Sequence, residues 1–114
     1  MIAHVILWQP RTGLTSDERR NVLVALAAAV QNAPTVRSCR IGRRVKHGLP
    51  GYEQMMSDDF GFVAIIEFDN IDGLREYLRH PAHQSIGEQF TSAAAAALAY
   101  DYEVVAIENG SDLT

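Results

Sequence analysis

The sequence predicts a two-layer α+β domain: a four-stranded antiparallel sheet with its helices on one face. Three observations predict it. Apolar, β-branched runs recur at residues 2–8, 36–45, 60–68 and 100–107. Helically spaced apolar residues separate the first run from the second and the third from the fourth. Between the second and third runs there is only a glycine- and proline-containing connection. The resulting order, βαββαβ, is the ferredoxin-like plan.

Each element has its own signal. Residues 2–8 form a continuous apolar run interrupted by His4, as expected of a buried strand. Pro10 to Gly13 reads as a turn. Thr15 and Glu18 then stand in capping-box spacing, and Val22, Leu23, Leu26, Ala27 and Val30 follow along one helical stripe. Pro34 closes that helix. The second strand carries Arg37, Arg40, Arg43, Arg44 and Lys46, a density of cations that suits a solvated edge. Residues 47–59 form a long connection with Gly48, Pro50 and Gly51, either a flap over a pocket or a plain solvated loop. Asp69-Asn70 supplies a cap for a short helix reaching Arg79. A further helix is expected over residues 82–97, since the alanines at 93–97 have high helix propensity. The domain is expected to span residues 1–107, with a flexible tail over 108–114.

Composition narrows the class of function. The chain has 114 residues, 47% hydrophobic and 21% charged, with a net charge of −4. That suits one domain with its own core and argues against a nucleic-acid partner. The single cysteine, Cys39, can form no intramolecular disulfide and reads as a packing residue. The opening residues lack the basic leader and long apolar stretch of a signal peptide, and no run reaches the length of a membrane span, so a cytoplasmic location is expected.

Strand alternation raises a question about the sheet's second face. In the first strand Ile2, Ile6 and Trp8 point one way and Ala3, Val5 and Leu7 the other. In the third, Phe60, Phe62, Ile66 and Phe68 alternate with Val63 and Ile65. Both faces are apolar, and one helical layer covers only one. A second copy of the same sheet is the expected cover, giving a homodimeric α+β barrel.

The residues with most chemical content lie at 77–83, Tyr-Leu-Arg-His-Pro-Ala-His. Pro81 disfavours helix at His80 and suits a first helical position, so His80 is an N-cap candidate and His83 falls in the first turn. The positive end of a helix favours neutral imidazole at His83. A neutral histidine and the Tyr77 hydroxyl beside an apolar pocket suit base and hydrogen-bond donor in carbonyl chemistry. The plain alternative makes His80 a cap, Tyr77 a core aromatic and His83 a brace between helix and sheet. His80 and His83 with Asp101 or Glu103 form an incomplete metal-ligand set, and no residue pattern calls for a cofactor. Ligation of haem by a lone histidine stays open.

His4, Pro34, the 60–68 strand, the 77–83 segment and the closing Asp101-Tyr102-Glu103-Val104 together resemble the stress-responsive A/B barrel domain (Dabb) family over roughly residues 2–105. The resemblance implies a dimeric α+β barrel. It also points to an activity, since a plant branch with a similar proline segment performs cofactor-free aldol cyclisation of polyketides. Carried over, the catalytic positions are Tyr77 and His83, and His4 lines the same pocket. Where that branch has a histidine in the third strand and a tyrosine in the first helix, this chain has Phe62 and Leu26, which makes its pocket less polar. With Trp8 and His80 these complete the expected substrate-binding set, and the expected ligand is a small apolar carbonyl or aromatic compound. The competing readings are a non-enzymatic stress-associated dimer, with Phe62, Leu26 and Trp8 filling the interior, and a cofactor-free monooxygenase-like or haem-binding barrel.

Overall fold

The computed structural model describes all 114 residues. Its elements are β1 (Ile2–Pro10), α1 (Ser16–Gln31), β2 (Val36–Arg43), a 3-10 turn at Glu53–Met55, β3 (Phe62–Phe68), α2 (Ile71–Arg79), α3 (Pro81–Ala93), β4 (Ala94–Glu103) and 3-10 turns at Ile107–Leu113. The strands form one antiparallel sheet in the order β2-β3-β1-β4. This is the ferredoxin-like fold that the element order predicts.

The helix starts follow the local chemistry. At α1 the Thr15 hydroxyl accepts from the Glu18 amide at 3.1 Å, and the Glu18 carboxylate accepts from the Thr15 amide at 3.2 Å. The reciprocal bonds satisfy two amides that the first turn leaves free. Gly13, at φ +86°, takes the left-handed conformation that lets the chain reverse between β1 and α1. Asn70 caps α2 by accepting from the Gly73 amide at 2.9 Å. The Pro81 break falls where expected: His80 is extended at φ −68° and ψ 137°, and its Nδ1 accepts from the Ala82 amide at 3.1 Å.

The β1–β3 register places Ile2 opposite Phe68, His4 opposite Ile66 and Trp8 opposite Phe62. The even-numbered side chains of both strands therefore share the helix-facing side. Trp8, Ala64, Ile66 and Phe68 pack there against Val22, Leu26 and Ala29 of α1, Leu74 and Tyr77 of α2, and Ile86 of α3. Cys39 packs at the margin of this core, and burial pushes its thiol pKa up, away from the reactive thiolate.

Several expected boundaries are corrected. The helix expected over residues 82–97 ends at Ala93, and Ala94–Ala97 begin β4. Alanine favours helix only weakly as a prior, and tertiary pairing overrides it. Here β1 supplies that pairing: Ala96 lies opposite Gln9, Ala97 opposite Trp8, and the Arg11 amide donates to the Ala93 carbonyl at 2.8 Å. The last strand accordingly starts at Ala94 rather than Tyr100 and ends at Glu103. The second strand stops at Arg43 and the third starts at Phe62, so the connection between them is longer than the one read from sequence. The segment expected as a loose tail runs as 3-10 turns with no buried residue.

The sheet's other face carries ladders of apolar side chains. Ile65, Val5 and Tyr100 stand side by side across β3, β1 and β4, as do Val63, Leu7 and Leu98. Tyr100 is 51% exposed, Tyr102 52% and Leu98 38%. The chain is a slab 16 Å thick, and its radius of gyration of 15.5 Å exceeds the roughly 13 Å expected of a compact chain this long. It is one sheet and one helical layer, with an apolar face left over.

Candidate functional site

The break between α2 and α3 brings Tyr77, in the last turn of one helix, against His83, in the first turn of the next. Their ring centroids lie 4.9 Å apart at an interplanar angle of 65°. His4 projects from the middle of β1 to complete a triangle, 6.3 Å from Tyr77 and 6.5 Å from His83. The three rings sit in the wall of a cavity of about 320 Å³ between the sheet, the start of α3 and Leu26 of α1. Ile6, Leu78, Ile86 and Phe90 supply much of the remaining apolar wall, and Ala97, Leu98 and Ala99 of β4 close it.

The electrostatics separate two roles. Burial pushes the Tyr77 hydroxyl pKa up to about 12, with Cys39 adding to the shift, so Tyr77 keeps its proton at neutral pH. Burial pushes His83 the other way, below 6.5; the His4 ring lowers it further, and the Leu78 backbone opposes the change. His83 is therefore neutral at pH 7, as expected, although partial burial rather than the helix end is the main cause. A neutral imidazole beside a protonated phenol is a base beside a donor.

His4 is held from the far side. Its Nδ1 donates to the Asp101 carboxylate at 2.6 Å across the β1–β4 ladder, where the two residues are register partners. With Nδ1 committed to Asp101, Nε2 is the ring nitrogen left for other contacts. The sequence placed Asp101 in an incomplete metal-ligand set and among the residues that carry the family resemblance; its partnership with His4 spans 97 positions and is legible only from the strand register. No three His, Cys, Asp or Glu side chains converge to hold a metal ion.

The expected site residues divide into three groups. His4, Tyr77, His83 and Leu26 line the cavity. Trp8 and Phe62 line a neighbouring cavity of about 400 Å³, which shares Ile6, Leu26 and Phe90 with the first. Trp8 is fixed there by donating from Nε1 to the Phe90 carbonyl at 3.2 Å. His80 lines neither cavity, and its Nδ1 is engaged as the α3 cap. Sequence reading missed the α3 face (Ile86, Gly87, Phe90 and Thr91) and residues 97–99 of β4, because it ran the helix to Ala97 and began the last strand only at Tyr100.

Comparison with known proteins places the fold. The profile of the stress responsive A/B barrel domain matches residues 2–104. No curated protein sequence matches the chain. Among solved structures, the hydroxynitrile lyase of Passiflora edulis is similar at TM-score 0.79 and 13% identity, covering 91% of this chain and 93% of its own. A dimeric ferredoxin-like protein of unknown function from Thermobifida fusca is similar at TM-score 0.72 and 20% identity, with 90% of each chain covered. A mutant form of SnoaB, a cofactor-independent oxygenase from Streptomyces nogalater, is similar at TM-score 0.69 and 14% identity, covering 92% of this chain and 93% of its own. At these identities the likeness is one of fold.

Proposed function

As the chain belongs to the stress-responsive A/B barrel domain family, we propose that it is a homodimeric, cofactor-free lyase or cyclase acting on a small apolar carbonyl compound, with His83 as base and Tyr77 as hydrogen-bond donor. The observation that carries the reading is the Tyr77–His83 pair, 4.9 Å between centroids, in the wall of an otherwise mainly apolar cavity. Cavities of this kind, with a few convergent polar groups, are the usual form of a small-molecule site. The Tyr77 hydroxyl makes no hydrogen bond to any other group of the chain, so it has a donor to spend on a ligand. The open volume also speaks against the purely structural alternative, in which Leu26, Trp8 and Phe62 fill the interior.

The chemistry balances without a redox partner. His83 takes a proton from the carbon beside the substrate carbonyl. The C–H electron pair forms the new C=C bond, and the carbonyl π pair moves to oxygen. Tyr77 donates a hydrogen bond to that oxygen as its charge grows. The enolate carbon then attacks a second carbonyl to close a ring, and the resulting alkoxide takes a proton from imidazolium. The reverse course is bond cleavage of the lyase type. His4, held by Asp101, orients the substrate or His83.

The homodimer follows from the apolar face: a second copy laid sheet to sheet covers Val5, Leu7, Val63, Ile65 and Tyr100. The dimeric Thermobifida fusca neighbour supports this reading. Sedimentation of the wild type at a dimer mass, with Leu7→Asp at the monomer mass, is the expected pair of results; a monomeric wild type refutes the dimer. For the activity, a panel of apolar 1,4- to 1,6-dicarbonyl and cyanohydrin substrates should be turned over by the wild type and not by His83→Ala. Equal rates for the two proteins remove His83 from the mechanism.

A further inference from the structure

We propose that the neighbouring cavity is a binding site for an amphipathic carboxylate, an acyl chain or aryl ring bearing one carboxyl group, with Arg19 and Arg43 holding the anionic end. The cavity encloses about 400 Å³ between α1, β2, β3 and α3. Its floor is aromatic: Trp8 lies 5.8 Å from Phe62 and 5.5 Å from Phe90, centroid to centroid, and Val22 and Leu26 add aliphatic walls. Ten of its thirteen lining residues are hydrophobic; of the other three, one is Gly42 and two are arginines.

The arginines are distinguished by what they lack. Of the ten lysines and arginines, all but Arg19, Arg43 and Arg79 form ion pairs with carboxylates. Two of those three unpaired cations line this one cavity, and no acidic residue lines it with them. Arg19 reaches only the Ser16 hydroxyl, at 3.3 Å. Its neighbours on either side along the chain illustrate the contrast: Glu18 is taken by Arg11, and Arg20 by Asp17. Two exposed guanidiniums beside an apolar concavity have no carboxylate of the chain to neutralise them, and the planar guanidinium fork matches a carboxylate. Apolar depth with a cationic mouth selects a ligand that is greasy at one end and negatively charged at the other.

The site adjoins the His83 cavity through Ile6, Leu26 and Phe90 but contains none of Tyr77, His83 or His4. It stands independently of the proposed chemistry.

Decanoate is the probe, with decanamide as its uncharged counterpart, and the readouts are the fluorescence of Trp8, the chain's single tryptophan, and calorimetry on the full chain. Decanoate is expected to bind about tenfold more tightly than decanamide at low salt, a preference that shrinks as salt screens the rim. Arg19→Gln and Arg43→Gln are each expected to weaken decanoate about three- to tenfold and to leave decanamide unchanged, as exposed arginines contribute modest charge-assisted bonds. Both positions are exposed, and unchanged circular dichroism confirms that the variants fold. His83→Ala should bind decanoate as the wild type does, so loss of catalysis and loss of this site read out separately. Equal affinity for the two probes, no binding of either, or glutamine variants that bind decanoate normally would each overturn the proposal.

Discussion

The two cavities on the helix-facing side of the sheet share Ile6, Leu26 and Phe90, yet differ in the chemistry of their walls. One gathers two imidazoles and a phenol, and burial moves the proton affinities of His83 and Tyr77 apart. The other gathers Trp8, Phe62 and Phe90, with nothing that titrates near neutral pH and two arginines at its edge. The difference traces to local backbone. The polar cavity lies where Pro81 breaks the helical layer and turns His83 back towards Tyr77. The aromatic cavity lies under the unbroken helix α1, whose periodicity presents Val22, Leu23 and Leu26 to it with Arg19 at the edge. A scaffold with one helix break thus separates a place suited to proton transfer from a place suited to holding a ligand.

The comparison can be broken most forcefully at His83. His83→Ala is expected to lower kcat by about 10²- to 10⁴-fold in steady-state assays, the usual contribution of a general base. Trp8→Ala in the other cavity should leave kcat nearly unchanged, because Trp8 holds no proton that moves. Equal kcat losses in both variants would erase the distinction between the cavities.

Tyr77→Phe sharpens it further. Loss of a preorganised donor is expected to lower kcat about 100-fold. Stability measured by urea unfolding should change by no more than about 0.5 kcal/mol, because the hydroxyl bonds to no other group of the chain and the ring stays packed against Phe68. A large loss of stability with normal kcat would make Tyr77 a structural residue.

The pH dependence carries a fixed sign. His83 is neutral in the fold and its pKa is depressed below 6.5, so the unfolded chain takes up that proton first as pH falls. The contribution of His83 to stability is therefore fully present above pH 6.5 and is lost as pH falls through its folded-state pKa. The rate should follow the same sense, level at neutral pH and falling on the acid side. In His83→Ala the corresponding part of the stability–pH curve should flatten; an unchanged curve would place the titration elsewhere.

Particular residues show what was legible in the sequence. Thr15, Glu18 and Pro81 announced their positions because capping and proline geometry are local rules. The facing of Ile66 and Phe68 followed from alternation. The start of β4 was not legible: the alanines at 94–97 have no side-chain pattern that distinguishes strand from helix, and only pairing with β1 decides. With that boundary went the floor of the cavity at Ala97 and Ala99. The His4–Asp101 bond was hidden for the same reason, since it depends on a register between strands at opposite ends of the chain. Phe62 belongs to the aromatic cavity because β3 sets it opposite Trp8, a relation fixed by pairing rather than by residue type.

The most direct test of the central claim is exchange of a substrate-like α-proton with solvent deuterium, followed by NMR on a simple apolar 1,3-diketone with wild type and His83→Ala. The account predicts that the wild type accelerates exchange, that the rate falls below pH 6.5 as His83 takes up its proton, and that His83→Ala returns the rate to that of buffer. Exchange that persists undiminished in His83→Ala, or none with the wild type, would contradict it.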